Sequence, residues 1–249
     1  MSGKVIGKNL IVLDSVGSTN KEAADRAGRS KVVHGTVILA HEQTDGRGQR
    51  GRNWNSGAGL DLTFSIVLLP RKLKASLHFK LAKVAALAVQ EVVQTRVLNE
   101  VRIKWPNDVL VERRKIAGIL IKNEVVGALV QSTIVGIGLN VNSRELDEAY
   151  LPTSLLIETG TEQDRMVLLD EILIAFERRW EQMEADHPGL GSDYSDALWA
   201  IGRWTTFVLD DKNITARAVD VDSDGRLIVE TEDGKVAAYG LERLRFAAR

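Results

Sequence analysis

The chain has 249 residues, 44% of them apolar, a formal net charge of −1 and no cysteine. That length allows one large domain plus a small one, and the composition is ordinary for a globular protein. A near-neutral balance excludes a global basic field for nucleic acid or a membrane surface, and the missing cysteines exclude disulfides, Fe–S clusters and thiolate zinc.

No apolar core follows Met1-Ser2-Gly3-Lys4, so no signal peptide is read. No apolar run approaches the roughly 20 residues of a membrane helix, so a cytoplasmic protein with no membrane partner is expected. Residues 10–13 form a short strand, then the hydroxyl-rich turn 14–20 leads into a helix over 21–27 with Asn20 as its N-cap. Such a turn aims small donors and backbone N–H groups at one spot; it also serves as a plain capped turn. Residues 36–40 form a second strand and deliver the chain into Gln43 and the run Gly46-Arg47-Gly48-Gln49-Arg50-Gly51-Arg52, closed by Trp54.

That loop carries three arginines and three glycines in seven residues. Glycine lets backbone approach a ligand, and arginine offers a fork of donors that fits carboxylate and phosphate oxygens. Gly46, Gly48 and Gly51 also match G-x-G-x-x-G, but loop rather than helix follows them, which argues against a dinucleotide fold. Neither a P-loop nor a G-x-S-x-G elbow occurs.

A third strand over 60–69 puts Leu62, Phe64, Ile66 and Leu68 on one face, and Pro70 ends it. Residues 76–94 read as a core helix. Strands over 101–105, 109–111, 115–121 and 128–137 follow, with Pro106-Asn107-Asp108 turning between the first two. Residues 166–184 form the longest amphipathic helix, with Leu169, Ile172, Leu173, Phe176 and Trp180 on one stripe; a short helix covers 194–201. Short alternating segments then span 206–209, 214–221, 227–230, 236–239 and 243–246, with Asp-Gly between runs as a hairpin signal. The expected architecture is α+β: a mixed, mostly antiparallel sheet with packed helices over 1–203, and a small β-barrel over 204–249 that needs its neighbour for stability.

Four stretches could converge: Ser18-Thr19-Asn20, Gln43 with the arginine loop, Lys104-Trp105-Pro106-Asn107-Asp108, and Lys115. Together they supply uncharged hydrogen-bonders, a cationic clamp, an acid and an amine. Joining a carboxylate to an α-phosphate brings two anions together, so the set fits an acid activated by a nucleotide. Asp108 is a candidate Mg²⁺ ligand, since Mg²⁺ at phosphates takes only one or two protein carboxylates; it is equally a good turn residue. Lys104 also reads as an exposed strand lysine and Lys115 as a hairpin cation. His34, His41, His78 and His187 have no metal-ligand spacing and receive no role.

These motifs, with Lys115-Ile116-Ala117-Gly118-Ile119-Leu120 and Gly136-Ile137-Gly138-Leu139-Asn140-Val141-Asn142, resemble biotin protein ligase in order and spacing. The resemblance implies a class II synthetase-like catalytic domain and an SH3-like C-terminal barrel. It implies attack of the biotin carboxylate on the α-phosphate of ATP, giving biotinyl-5′-AMP and pyrophosphate. A lysine of a biotin carboxyl carrier protein then takes the biotin. By the same resemblance Ser18, Thr19, Asn20, Gln43, Arg47, Gly48, Gln49 and Lys115 contact biotin, with Arg47 and Lys115 at the acyl phosphate. Arg50, Arg52, Trp54, Lys104, Asn107 and Asn140 serve ATP or the adenylate, and Asp108 places Mg²⁺.

Two departures stand out. Many bacterial members carry Arg where this chain has Gln49, so looser retention of the adenylate is expected. Larger members carry an N-terminal helix-turn-helix; with a strand at residue 10 no such domain, and no operator binding, is expected. A lipoate or octanoate ligase shares the fold, but the arginine loop and Lys104-Trp105-Pro106-Asn107-Asp108 favour biotin; a non-catalytic biotin-binding protein is a further alternative, which Gln49 supports and Lys115 and Arg47 oppose. Exposed sheet edges leave a homodimer open.

Overall fold

A computed structural model describes residues 5–70, 73–75, 78–146 and 151–247. Seven strands form one sheet in the order β1-β2-β3-β7-β6-β5-β4. These are β1 (Leu10–Val16), β2 (Thr36–Gln43), β3 (Leu62–Leu68), β4 (Val101–Lys104), β5 (Asp108–Val111), β6 (Arg114–Val126) and β7 (Leu129–Leu139). β1 and β2 are parallel, and every other neighbouring pair is antiparallel. The mixed, mostly antiparallel expectation therefore holds.

The alternation read in β3 captures only half of its burial, because all seven residues are buried. Helices cover both faces. On one, Leu62, Phe64, Ile66 and Leu68 join the main core with α2 (Phe79–Gln94) and α4 (Arg165–Glu184). On the other, Val67 packs with Ile38, Ile134 and Ala23 of α1 (Thr19–Gly28). The predicted start of α2 at Ser76 and Leu77 lies outside the described residues.

Two helix boundaries differ from expectation. Ser18, not Asn20, is the N-cap residue of α1, and its side chain makes no capping bond. Asn20 instead sits buried in the first turn, its amide committed to tertiary partners. The helix expected at 194–201 is α5 (Gly189–Asp196), preceded by Pro188. It stops early because residues 197–199 run along the edge of β4: Ile103 N–H donates to Ala197 O and Trp199 N–H to Ile103 O. A five-residue helix, α3 (Leu155–Thr159), was not expected. Ser154 caps it by accepting from Ile157 N–H, and Gly160 closes it at φ 73°.

A second sheet has the order β11-β10-β9-β8-β12. Its strands are β8 (Trp204–Leu209), β9 (Lys212–Val221), β10 (Leu227–Thr231), β11 (Val236–Tyr239) and β12 (Leu244–Phe246). Its apolar interior, with Phe207, Ala218 and Leu244, is continuous with the core of the larger sheet. The turn between β9 and β10 docks on the larger unit: Trp105 Nε1–H donates to Gly225 O at 2.9 Å. So the barrel borrows core from its neighbour, as its size requires.

Candidate active site

α1 leaves part of its sheet face uncovered, and the floor there is glycine. Gly136 and Gly138 alternate on β7, so both face the same way, and Gly118 of β6 pairs with Gly138. Nothing larger fits. A β-carbon at Gly136 would stand 2.6 Å from Cγ and Nδ2 of Asn20, with its Oδ1 closer still, and one at Gly138 would stand 2.6 Å from Nε1 of Trp54.

One end of this floor is polar and uncharged. Gln43 Oε1 accepts from Thr19 N–H at 2.8 Å and lies 3.0 Å from Thr19 Oγ1. Asn20 Nδ2–H donates to Leu120 O at 3.0 Å. Beneath them Ser65 Oγ lies 2.8 Å from Thr19 Oγ1 and 2.6 Å from Asn20 Oδ1. Ser18, Thr19, Asn20 and Gln43 line a narrow cleft of about 50 Å³ with the three glycines, Arg47, Gly48, Gln49, Trp54 and Lys115.

The arginine loop folds back as a tight hairpin. Gly48 N–H donates to Arg52 O at 2.7 Å and Trp54 N–H to Gly46 O at 2.9 Å, with Arg47 bridged to Asn53. Its tip is a 3₁₀ turn, Gln49–Gly51, where Arg50 (φ 55°) and Gly51 (φ 74°) are both left-handed. The hairpin lays Trp54 across the floor. Lys115 Nζ stands 5.5 Å above the indole ring and 2.7 Å from Asp108 Oδ1. Among the described residues the indole Nε1–H is buried with no hydrogen-bond partner. Buried donors are normally matched, so this one is an exception, packed against the glycine floor at Gly138. Arg47 pairs with Asp45 at 2.7 Å, both about half exposed.

Beyond Trp54 the cleft opens into a chamber of about 460 Å³, within the range of nucleotide-sized sites. Gly48, Gln49, Trp54, Asn107 and Lys115 line both spaces, so the two are ends of one groove. Arg50, Arg52, Lys104, Asp108 and Asn140 line only the chamber. Asn107 Nδ2–H donates to Ile119 O, and Asn140 Nδ2–H to Thr153 O, so both amides brace walls. The barrel supplies one side: Leu241, Arg245 and Phe246 line the chamber, Arg50 donates to Leu241 O, and Lys104 Nζ sits 5.5 Å above the Phe246 ring.

All residues singled out from the sequence thus meet in one groove. Several neighbours escaped that reading. Ser65 looks like one polar residue in an apolar strand. Asp61 is 2% exposed, and its carboxylate accepts from Gly57 N–H, Val141 N–H, Ser143 N–H and the Ser143 hydroxyl. It ties the end of the arginine loop to the Asn140 wall. Arg245 and Phe246 belong to another sheet, and only the docking of the barrel brings them in. The alternating Gly136-Ile137-Gly138 was the one local signal for the floor. Among the described residues no group of three His, Cys, Asp or Glu could hold a metal. Asp108 fits a Mg²⁺ ion only as a single carboxylate beside nucleotide oxygens. No described helix is long and apolar enough to cross a membrane.

Residues 12–140 match the biotin/lipoate A/B protein ligase family, and 200–240 match the biotin protein ligase C-terminal domain. The chain is 32% identical over 248 residues to the bifunctional ligase/repressor BirA of Bacillus spizizenii, covering 96% of this chain and 74% of that protein. It is 37% identical over 174 residues to the biotin–[acetyl-CoA-carboxylase] ligase of Paracoccus denitrificans, covering 67% of this chain and 71% of that one. The structure resembles the biotin protein ligase of Aquifex aeolicus in complex with biotin and ATP, with a TM-score of 0.79 and 29% identity, over 96% of this chain and all of that one. The chain belongs to the biotin protein ligase family.

Proposed function

We propose that the protein activates biotin with ATP as biotinyl-5′-AMP, releasing pyrophosphate, and transfers biotin to a lysine of a biotin carboxyl carrier protein. One observation carries this: a single groove runs from an uncharged polar end, past Lys115, into a cation-lined chamber. That sequence of environments matches a polar ring, a carboxylate and a nucleotide in line. In this reading Ser18, Thr19, Asn20 and Gln43 take the ureido ring, and the valeryl chain lies on Gly136 and Gly138 beside Trp54.

The chemistry asked of the protein is positioning and charge. Lys115 and Arg47 hold the biotin carboxylate against the α-phosphate, lowering the repulsion between two anions. Gly48 and Gln49 let the loop backbone close over the acyl phosphate. Arg50, Arg52 and Lys104 meet the phosphates, while Trp54, Asn107 and Asn140 wall the adenylate. Lys115 is held by Asp108 until substrate carboxylate competes for it. Mg²⁺ borne by the nucleotide would take Asp108 as its protein ligand and supply charge neutralisation at the phosphates. Residues 1–203 act as the catalytic unit and 204–249 as the module that completes the chamber.

The likeness to a biotin protein ligase bound to biotin and ATP, and to a biotin–[acetyl-CoA-carboxylase] ligase, supports this reading. The test is incubation with ATP, Mg²⁺, biotin and a carrier domain, followed by mass measurement of the carrier. A gain of one biotinyl group on one lysine, with stoichiometric pyrophosphate, is expected. An unmodified carrier with no pyrophosphate released would overturn the reading.

A further inference from the structure

Ser65 lies at the centre of β3, opposite Gly136 of β7, and is fully buried. It does not line the groove, yet its hydroxyl touches two residues that do. The proton order in this cluster can be worked out. Asn20 Nδ2 donates to Leu120 O, which fixes Oδ1 as the atom facing Ser65. Thr19 N–H donates to Gln43, which fixes Oε1 as the atom facing Thr19. Both amide oxygens are acceptors only.

Two hydroxyl protons serve three short oxygen–oxygen contacts. The contact between Ser65 Oγ and Asn20 Oδ1 is 2.6 Å, so the Ser65 proton belongs there. Ser65 Oγ and Thr19 Oγ1 are 2.8 Å apart, close to the usual O–H···O distance. Turning the Thr19 proton to Gln43 would press lone pair on lone pair at 2.8 Å; turning it to Ser65 moves that unprotonated contact to the longest of the three, Thr19 Oγ1 to Gln43 Oε1 at 3.0 Å, where the repulsion is weaker. The protons therefore run from Thr19 to Ser65 to Asn20. What remains is Thr19 Oγ1 against Gln43 Oε1 at 3.0 Å, two acceptors with no proton between them, on residues that line the cleft. An N–H donor entering the cleft satisfies both.

We propose that Ser65 is a positioning residue: by drawing the Thr19 proton into the sheet, it turns Thr19 and Gln43 into a paired acceptor for a ligand N–H. This rests on the reading that a ureido ring occupies the polar end. It gives that end a preference for a ring bearing N–H over a disulfide ring, which has none.

The test is adenylation kinetics with Ser65→Ala, Ser65→Cys and the unmodified protein. The substrates are biotin and the two oxazolidinone analogues in which one ureido N–H is replaced by oxygen. Loss of one buried hydrogen-bond partner predicts a biotin KM raised about five- to tenfold in Ser65→Ala. The ATP KM and the kcat at saturating biotin stay within about twofold. Ser65→Cys, with a weak donor of similar shape, recovers part of the loss. The unmodified protein discriminates against at least one oxazolidinone, and Ser65→Ala discriminates less. An unchanged biotin KM in Ser65→Ala overturns the proposal alone, as does a parallel rise in the KM for biotin and for ATP. Failure of the unmodified protein to bind biotin at all overturns the ligase reading and this proposal together. If Ser65→Ala does not fold, Ser65→Cys decides by the same two measurements.

Discussion

Substituting Gly138 by alanine should separate the role of the floor from that of the fold. The new β-carbon would stand 2.6 Å from Nε1 and Cζ2 of Trp54, against 3.4–4 Å for ordinary contact. The indole must therefore retreat by roughly an ångström, since the repulsive wall is steep. β7 gives no backbone objection, because Gly138 does not have positive φ. Overpacking of this kind destabilises a fold by about 1–3 kcal/mol. The functional loss should lie at the upper end of that range, because Trp54 and Lys115 sit together at the junction of cleft and chamber. A misplacement of about an ångström there predicts a fall in biotin-dependent ATP–pyrophosphate exchange of about a hundredfold. The assay needs a second substitution. In a Trp54→Ala background the added methyl meets open space, so Gly138→Ala should cost little beyond Trp54→Ala itself. The coupling between the two should reach about 1–3 kcal/mol. Gly28→Ala, at a glycine with no neighbour within 4 Å, serves as the control and should be neutral or slightly stabilising. Additive effects of Gly138→Ala and Trp54→Ala would refute the reasoning.

Three further outcomes are expected. Lys115→Gln should lower biotin adenylation at least about a hundredfold, as loss of a charge aimed at the reacting oxygens does; its pair with Asp108 stays about a quarter exposed on each side chain, so the stability change should be on the order of 1 kcal/mol, and a large shift of the denaturant midpoint would contradict it. Asp61→Ala strands a set of buried donors and should cost about 3 kcal/mol in urea unfolding while raising the KM for ATP more than that for biotin; equal KM changes would count against the clasp. Finally, three turn carboxylates of the barrel titrate below their usual range. Arg243 lowers Asp210, and Lys235 with the Thr231 hydroxyl lowers Asp233 from 3.8 to about 2. Burial pushes Asp222 up, but bonds from Arg226 outweigh it. A carboxylate held low when folded stabilises above its unfolded pKa and loses that contribution as pH falls through the folded one. The barrel should thus loosen between about pH 4 and 2, and pepsin should cut within 204–247 before it cuts β3 or β7; the reverse order would exclude the idea.

What the sequence made legible follows from range. Periodicity over a few residues located all the strands of both sheets, because burial of one face imprints itself locally. It understated β3, where both faces are covered and Thr63 and Ser65 are buried beside the apolar positions. It missed α3, whose five residues are too few to show a period, and it misplaced α5, whose end is set by pairing of 197–199 with a strand nearly a hundred residues earlier. The site divides in the same way. Residues with unusual chemistry in a run, such as the arginine loop, were visible. Ser65, Asp61, Arg245 and Phe246 were not, because each is ordinary in its own segment and acts only on residues distant in the chain.

Gln49 offers the last test, and its place in the groove sets the direction. It opens the 3₁₀ turn at the hairpin tip and lines both the cleft and the chamber. Arg47 lines the cleft on one side of it, and Arg50 and Arg52 line the chamber on the other, so Gln49 sits at the junction between these cations. Glutamine can donate to an acyl phosphate but carries no charge, and a charge-assisted bond is roughly twice as strong as a neutral one. Replacing it by arginine should therefore slow the escape of biotinyl-5′-AMP about five- to tenfold, the equivalent of about 1–1.4 kcal/mol. Formation should change less than release, because positioning by Lys115 is untouched. The measurement is a chase: adenylate formed with labelled biotin is diluted into unlabelled biotin without acceptor, and its loss from the protein is followed. Salt gives an independent check, since an added cation makes release more sensitive to ionic strength. Equal escape rates for the unmodified protein and Gln49→Arg would mean that the loop holds the intermediate by enclosure rather than by charge.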